Sequence, residues 1–167
     1  MDNNSDLNNL SSADGIIRLI NGEILDPEEF DKIMKLNCHY IQHIVVTGND
    51  RFYPLALIFP DTKLYTDPDY VITPLEGCFC PRNTNDMGKC LTGCMRLANN
   101  ELENRPGRIQ KGIIINDDTI FANGVQVLSD NEILEKYAQL IEDIYHGKTI
   151  LVNDTYLINS KQIGSYL

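Results

Sequence analysis

Four cysteines lie close together in the segment CFCPRNTNDMGKCLTGC, at Cys78, Cys80, Cys90 and Cys94. Thiolates are good zinc ligands, and four of them can close a tetrahedral site. The spacing is C-x-C and then C-x-x-x-C, whereas the common zinc knuckles use two C-x-x-C pairs. Cys90 and Cys94 are four residues apart on a predicted helix and share one face. They are either zinc ligands with Cys78 and Cys80 or small apolar residues of a buried helix face.

The remaining cysteine and the histidines form no recognisable set for nucleophilic catalysis. Cys38 fits neither the zinc interpretation nor a redox pair. His39 and His43 could share a helical face, but their segment is predicted to enter a strand, so a metal role is not favoured. His146 ends a predicted helix, where a positive charge interacts favourably with the helix dipole.

Composition indicates one globular domain. The chain has 167 residues, of which 43% are hydrophobic and 23% charged. The formal net charge is −10 and no lysine and arginine cluster is present, so binding to nucleic acid or to an anionic lipid surface is not expected. No run is long enough to insert into a membrane, and the polar N-terminus contains no signal-peptide core. The expected location is the cytoplasm, where cysteines remain thiols or bind metal.

Turn residues and caps indicate the first elements that must position these side chains. An apolar strand is predicted over residues 16–20, followed by the turn pair Asn21-Gly22. A helix is predicted to begin at Asp26-Pro27, because Asp is a good N-cap and Pro suits the first helical position. The helix is expected to end near Leu36.

The segment YIQHIVVTGNDRFYPLALIFP, residues 40–60, predicts two strands joined by a tight turn. The apolar runs are 41–46 and 53–59, and the turn is Thr47–Arg51. Arg51 leaves this turn, and it is either a binding residue or a surface residue that ends a hairpin.

The second half of the chain predicts further helices and strands. Residues 85–103 and 130–146 carry apolar side chains at three- and four-residue steps, which predicts two helices. A strand is expected over 109–115. The segment 148–158 predicts a hairpin that turns at Asn153-Asp154.

The predicted fold class is α+β. A small sheet of short strands has about three helices packed on it, with a C-terminal hairpin added. The expected organisation is a flexible leader over residues 1–13, one domain over 14–147, and a hairpin and tail over 148–167.

Several short patterns occur in a fixed order: Arg18-Leu19-Ile20-Asn21-Gly22-Glu23, then Pro27-Glu28-Glu29, then the segment 40–60. Together they resemble the mobile C-terminal domain, or lid, of the adenylate-forming enzymes, specifically the long-chain fatty-acyl-CoA synthetase branch. The resemblance continues more weakly through Arg108-Ile109-Gln110 to about His146. It covers most of residues 14–146.

The resemblance implies a two-domain AMP-forming ligase of fatty acid metabolism. A large domain binds ATP, Mg²⁺ and a carboxylate and forms an acyl-adenylate, and the lid then admits the thiol of coenzyme A. This chain has no phosphate-binding loop, so it is expected to bind no cofactor alone and to need a large adenylation domain or another protein subunit. Gly22, Glu23 and Arg51 are the implied binding residues, with backbone around Gly22 guiding the thiol arm.

Two departures from the family pattern concern catalysis and movement. The family places a lysine on a late loop, but residues 121–129 contain neither Lys nor Arg. Gln126 lies near the expected place, and a one-residue shift would put Val127 there. A neutral amide cannot supply the positive charge that stabilises the adenylation transition state. The family hinge is replaced by Ser11-Ser12-Ala13-Asp14.

Three hypotheses about function follow. The chain is a stand-alone lid that works with a separate large domain, inactive alone and without the usual catalytic lysine. Alternatively, it is a non-catalytic protein-binding or regulatory module derived from that lid, or a fragment of a longer ligase. Restoring a lysine at Gln126 in a fused ligase separates the first two, because only a sound lid would regain adenylation.

Overall fold

The computed structural model describes residues 15–70, 80–102, 109, 111–148 and 155–158. The predicted leader and the hinge residues lie outside this range. In chain order the elements are β1 (Ile17–Arg18), β2 (Ile24–Leu25), α1 (Pro27–Asn37), β3 (Ile41–Thr47), β4 (Leu55–Pro60), α2 (Lys63–Thr66), α3 (Thr84–Glu101), β5 (Lys111–Ile115), a 3-10 turn (Asp118–Ile120), β6 (Phe121–Ala122), β7 (Val125–Gln126), α4 (Asp130–Lys136), α5 (Ala138–Tyr145) and β8 (Thr155–Ile158). This mixture of small sheets and helices confirms the predicted α+β class.

A four-stranded sheet runs in the order β3-β4-β5-β8. β3 and β4 are antiparallel, as the segment 40–60 predicts, with Ile44 opposite Ile58. β5 pairs with β4 in parallel and with β8 in antiparallel orientation. β4 therefore lies inside the sheet, and all of its residues are buried, which explains its continuous apolar sequence.

Successive strand residues point to opposite sides of the sheet, so its apolar strands present apolar side chains on both faces. Helices cover both of these faces. One face packs against α1 and α3. Its buried side chains include Ile44, Val46, Ala56, Ile58, Ile114 and Ile158 from the strands, with Phe30, Met34, Met87, Leu91 and Met95 from the helices. The other face packs against α4 and α5, and includes Val45, Leu55, Leu57, Phe59, Ile113 and Ile115 with Ile133, Leu134, Ile141 and Ile144.

The first two long helices begin at side-chain caps. Asp26 accepts a hydrogen bond from the Glu28 backbone N–H at 3.0 Å, as the predicted N-cap of α1 should. Asn83 accepts one from the Asp86 N–H at 2.8 Å and begins α3. Both helices match their predicted ranges to within two residues. No helix in the described parts of the chain is both long and apolar enough to cross a membrane.

The predicted helix over 130–146 is instead two helices. α4 ends and α5 begins at Tyr137, whose φ of −104° and ψ of 16° depart from helical values. The Tyr137 hydroxyl donates a hydrogen bond to the carboxylate of Asp117, and its ring lies 6.1 Å from the ring of Phe59. The break therefore coincides with the tertiary contacts of Tyr137, while the apolar stripe continues from α4 into α5.

The C-terminal segment adds a strand to the central sheet. Residues 155–158, predicted to be one arm of a hairpin, form the edge strand β8, which pairs with β5. Ile158 is fully buried there. The other predicted arm and its turn lie outside the described residues.

Candidate functional site

The β1–β2 hairpin presents Gly22 and Glu23 at its tip, both exposed. Gly22 has φ +88°, and a Cβ placed there would meet no atom of the described residues within 4 Å. The Asn21 side chain accepts a hydrogen bond from the Glu23 backbone N–H at 3.0 Å, and the Leu19 carbonyl accepts one from the Gly22 N–H at 3.1 Å. Glycine is therefore required for backbone conformation, and the space around the tip is open to a partner.

Backbone hydrogen bonds fasten this hairpin to the turn between β3 and β4. The Ile20 N–H donates to the Arg51 carbonyl and the Asp50 N–H donates to the Arg18 carbonyl, both at 2.9 Å. The Arg18 N–H donates to the side chain of Asn49, also at 2.9 Å. These hydrogen bonds attach the β1–β2 hairpin to the tight turn that the sequence predicts between β3 and β4.

Arg51 connects the same turn to α5. Its guanidinium forms an ion pair with Glu142 and lies 4.5 Å from the centre of the Tyr145 ring. Tyr145 is half-buried, and this burial raises the pKa of its hydroxyl. The hydroxyl donates a hydrogen bond to the Tyr53 carbonyl at 2.9 Å. These contacts account for an arginine at this position through stability alone, and a role in binding a cofactor stays a prediction.

Gln126 lies at the end of the β6–β7 hairpin and is exposed. Its Nε2 donates to the Leu128 carbonyl at 2.7 Å and to Oδ1 of Asp130 at 3.1 Å. The following residue, Val127, is 53% exposed. The side chain near the expected lysine position is therefore neutral and already hydrogen-bonded to the start of α4.

Asp130 also contacts His43, a residue of the edge strand β3. His43 Nε2 and Asp130 Oδ1 are 2.7 Å apart, and this hydrogen bond lowers the pKa of Asp130. The pair borders an open groove of about 260 Å³ between the first turns of α1 and α4. His39 is exposed and belongs to no group of potential metal ligands among the described residues.

Three cysteines converge where the end of α1 meets α3. The Sγ atoms of Cys38, Cys90 and Cys94 all lie within 4.8 Å of one another. Cys38 and Cys94 are buried, and Cys90 is partly exposed. The Cys94 thiol donates a hydrogen bond to the Asn37 carbonyl at 3.5 Å.

This arrangement differs from the set of cysteines that the sequence suggested. Cys90 and Cys94 do share a face of α3, but their neighbour is Cys38, to which sequence reasoning gave no role. Cys80 is half-buried and packs on the same apolar core without joining the group, and Cys78 lies outside the described residues. No local spacing links Cys38 to Cys90, so no sequence signal could reveal their contact.

Hydrogen bonds among the three thiols separate their acidities. Those from Cys38 and Cys94 lower the pKa of Cys90 to about 4. The hydrogen bond to Cys90 raises the pKa of Cys38 to about 12, and hydrogen bonds to both neighbours raise the pKa of Cys94. Hydrogen bonding among the three thiols therefore favours ionisation of Cys90, the most exposed of them.

The fold resembles part of larger adenylation domains. The adenylation domain of a carboxylate reductase from Mycobacterium chelonae superposes with a TM-score of 0.54 and 18% identity, over 82% of this chain and 20% of that one. The adenylation domain of a carboxylic acid reductase from Segniliparus rugosus superposes with a TM-score of 0.49 and 17% identity, over 83% and 21% of the two chains. This chain thus spans about a fifth of the length of either structure. No curated protein matches it.

Residues 14–76 match the family model of the AMP-binding enzyme C-terminal domain. The matched range includes the β1–β2 hairpin, α1 and the β3–β4 turn. The match covers 63 of the 167 residues, and the fold of the described residues is similar to part of an adenylation domain. The match does not single out the long-chain acyl-CoA synthetase branch.

Proposed function

We propose that this chain is the lid-like small domain of an AMP-forming long-chain acyl-CoA ligase and acts with a large adenylation domain in trans. The observation that carries the proposal is the β1–β2 hairpin, whose open glycine tip is held by backbone hydrogen bonds to the β3–β4 turn. A tip of this kind suits the approach of a thin thiol arm, because backbone at glycine admits close contact. ATP, Mg²⁺ and coenzyme A would be cofactors of the complete ligase.

The state of Gln126 favours the thiol-transfer step over adenylation. A neutral amide offers no positive charge to the transferring group, and this one is hydrogen-bonded to Leu128 and Asp130. The large domain would therefore form the adenylate, and the lid would shield it from water and position the incoming thiol.

The proposal predicts a gain of thioester formation when this chain is added to a long-chain acyl-CoA synthetase that lacks its own small domain. Gly22→Ala should reduce that gain about tenfold or more, because the φ of +88° disfavours any Cβ and the tip would move. Thioester is measured from a preformed acyl-adenylate, with acids of several chain lengths, so that adenylation does not limit the rate.

Gly147→Ala is the matched control. Gly147 also has a positive φ, +69°, and in the described part of the chain no atom lies within 4 Å of a Cβ placed there. It follows α5 and not the hairpin. Both variants should lose similar stability, and only Gly22→Ala should lose the gain. No gain from the wild-type chain, or equal losses in both variants, would contradict the proposed lid role.

A non-catalytic module is the second candidate, and the apolar surface beside Gln126 favours it. Val125 is 65% exposed and Val127 53% exposed, which is unusual beside a site meant for a phosphate-bearing ligand. In a fused ligase, Gln126→Lys should restore adenylation if the lid is sound. A well-folded fusion without adenylation would support the module instead.

A further inference from the structure

We propose that Cys38, Cys90 and Cys94 form a zinc-binding site that joins the end of α1 to α3. The site is independent of the proposed lid chemistry. It replaces the sequence-based set of four cysteines by three that the tertiary fold brings together.

The distances suit a tetrahedral metal. Zinc-thiolate bonds of about 2.3 Å place two sulfur ligands of a tetrahedron about 3.8 Å apart. The three Sγ atoms already lie within 4.8 Å of one another. Small side-chain rotations that bring the Sγ atoms about an ångström closer together would place sulfur at three of the four tetrahedral positions.

The backbone around the site holds the ligands in place. Cys90 and Cys94 lie on successive turns of α3, inside an 18-residue helix. Cys38 ends α1 in an extended conformation, with φ −147° and ψ 120°. Both helices pack on the same face of the sheet through Met34, Leu91 and other apolar residues, so little ordering remains to be done when the metal binds.

A zinc site explains the meeting of these three cysteines better than burial in the apolar core alone. Single buried cysteines behave as small apolar residues, but here three thiols from two elements meet at one place in a chain that has five cysteines. The partly exposed Cys90 gives an ion a route from solvent and leaves the fourth position open to water. A soft d¹⁰ ion such as zinc is the class of metal that thiolates favour.

The first experiment measures metal on the purified full chain under reducing conditions. We expect one zinc per chain by elemental analysis, and three sulfur neighbours at about 2.3 Å by X-ray absorption at the zinc edge. Replacement by Co²⁺ should give thiolate charge-transfer absorption. If the purified chain contains no zinc and takes up neither Zn²⁺ nor Co²⁺, the proposal is overturned.

Variants then test which cysteines bind. Cys90→Ala, the least buried change, should weaken zinc binding by more than about 100-fold, since loss of an outer-shell partner alone costs up to about that much. Cys80→Ala is the matched control, because Cys80 is also half-buried on the same core but outside the cluster, and it should keep full binding. Retained affinity in Cys90→Ala, or lost binding in Cys80→Ala, would refute the assignment. Circular dichroism of both metal-free variants shows that each is folded.

Discussion

Individual side chains with several partners connect distant parts of this molecule. Arg51 joins the β3–β4 turn to α5 through Glu142 and Tyr145. Asp117 connects the 3-10 turn to the end of α4. It accepts a hydrogen bond from Lys136 Nζ at 2.7 Å, one from the Thr119 hydroxyl at 2.6 Å and one from the Tyr137 hydroxyl. Burial opposes ionisation of Asp117, but these hydrogen bonds outweigh it and lower its pKa.

The lowered pKa of Asp117 predicts an acid-dependent part of the stability. A carboxylate with a depressed folded-state pKa stabilises the protein above the unfolded pKa, near 4, and loses that effect as pH falls through the folded value. Asp117→Asn should therefore lower the free energy of unfolding at pH 7 by about 1–3 kcal/mol. The difference from wild type should shrink below about pH 4.

Urea unfolding between pH 7 and acidic pH measures this difference. Asp118→Asn is the control, because Asp118 neighbours Asp117 in sequence and is exposed. A difference between wild type and Asp117→Asn that grows on acidification would contradict the assigned direction of the pKa shift.

At the scale of elements, β5 and α3 pack closely against each other at Gly112 and Met95. A Cβ at Gly112 of β5 would lie 2.8 Å from Sδ and 3.1 Å from Cε of Met95. Met95 is fully buried, so its thioether has little room to move. Glycine at this strand position therefore permits the close approach of the helix.

Gly112→Ala should accordingly destabilise the domain by about 1–3 kcal/mol through overpacking. Met95→Ala removes the side chain that the new Cβ would meet, so the double variant should lose less stability than the sum of the two single losses. Thermal or urea unfolding of all four proteins measures the coupling.

Gly93→Ala on α3 is the matched control for that experiment. Among the residues that the structure describes, none has an atom within 4 Å of a Cβ placed at Gly93, and alanine is the better helix former by about 1 kcal/mol. This variant should be as stable as wild type or more so. Strictly additive losses in the Gly112 and Met95 pair would show that the two residues do not clash.

At the scale of the whole molecule, the sheet is covered by helices on both faces, and β8 completes it. β8 pairs with β5 in antiparallel register, with Ile113 opposite Leu157. The strand β8, which lies in the predicted C-terminal hairpin, is thus part of the central sheet.

Truncation tests this extent directly. A chain ending at residue 147 loses β8 and exposes the edge of β5, so it should unfold at a clearly lower temperature than the full chain or aggregate through that edge. A chain ending at residue 158 retains β8 and is the control, expected to unfold near the full-length temperature. Equal unfolding temperatures for the two truncated chains would show that β8 is dispensable.

Local patterns were sufficient for most elements of this protein. The Asp26-Pro27 start, the apolar steps of α3 and the two runs around the Thr47–Arg51 turn depend on neighbours in the chain, and the corresponding elements are present. The order of short patterns over residues 14–60 likewise resembles the lid of adenylate-forming enzymes, and residues 14–76 match the family model of the AMP-binding enzyme C-terminal domain.

Tertiary structure alone decided what meets across long separations. The approach of Cys38 to Cys90, the break at Tyr137 and the addition of β8 to the sheet all depend on which faces are buried against each other. Such pairings result from packing of whole elements, and no spacing along the chain encodes them. The sequence therefore determined the elements and the kind of domain, whereas the fold determined the cysteine cluster and the extent of the sheet.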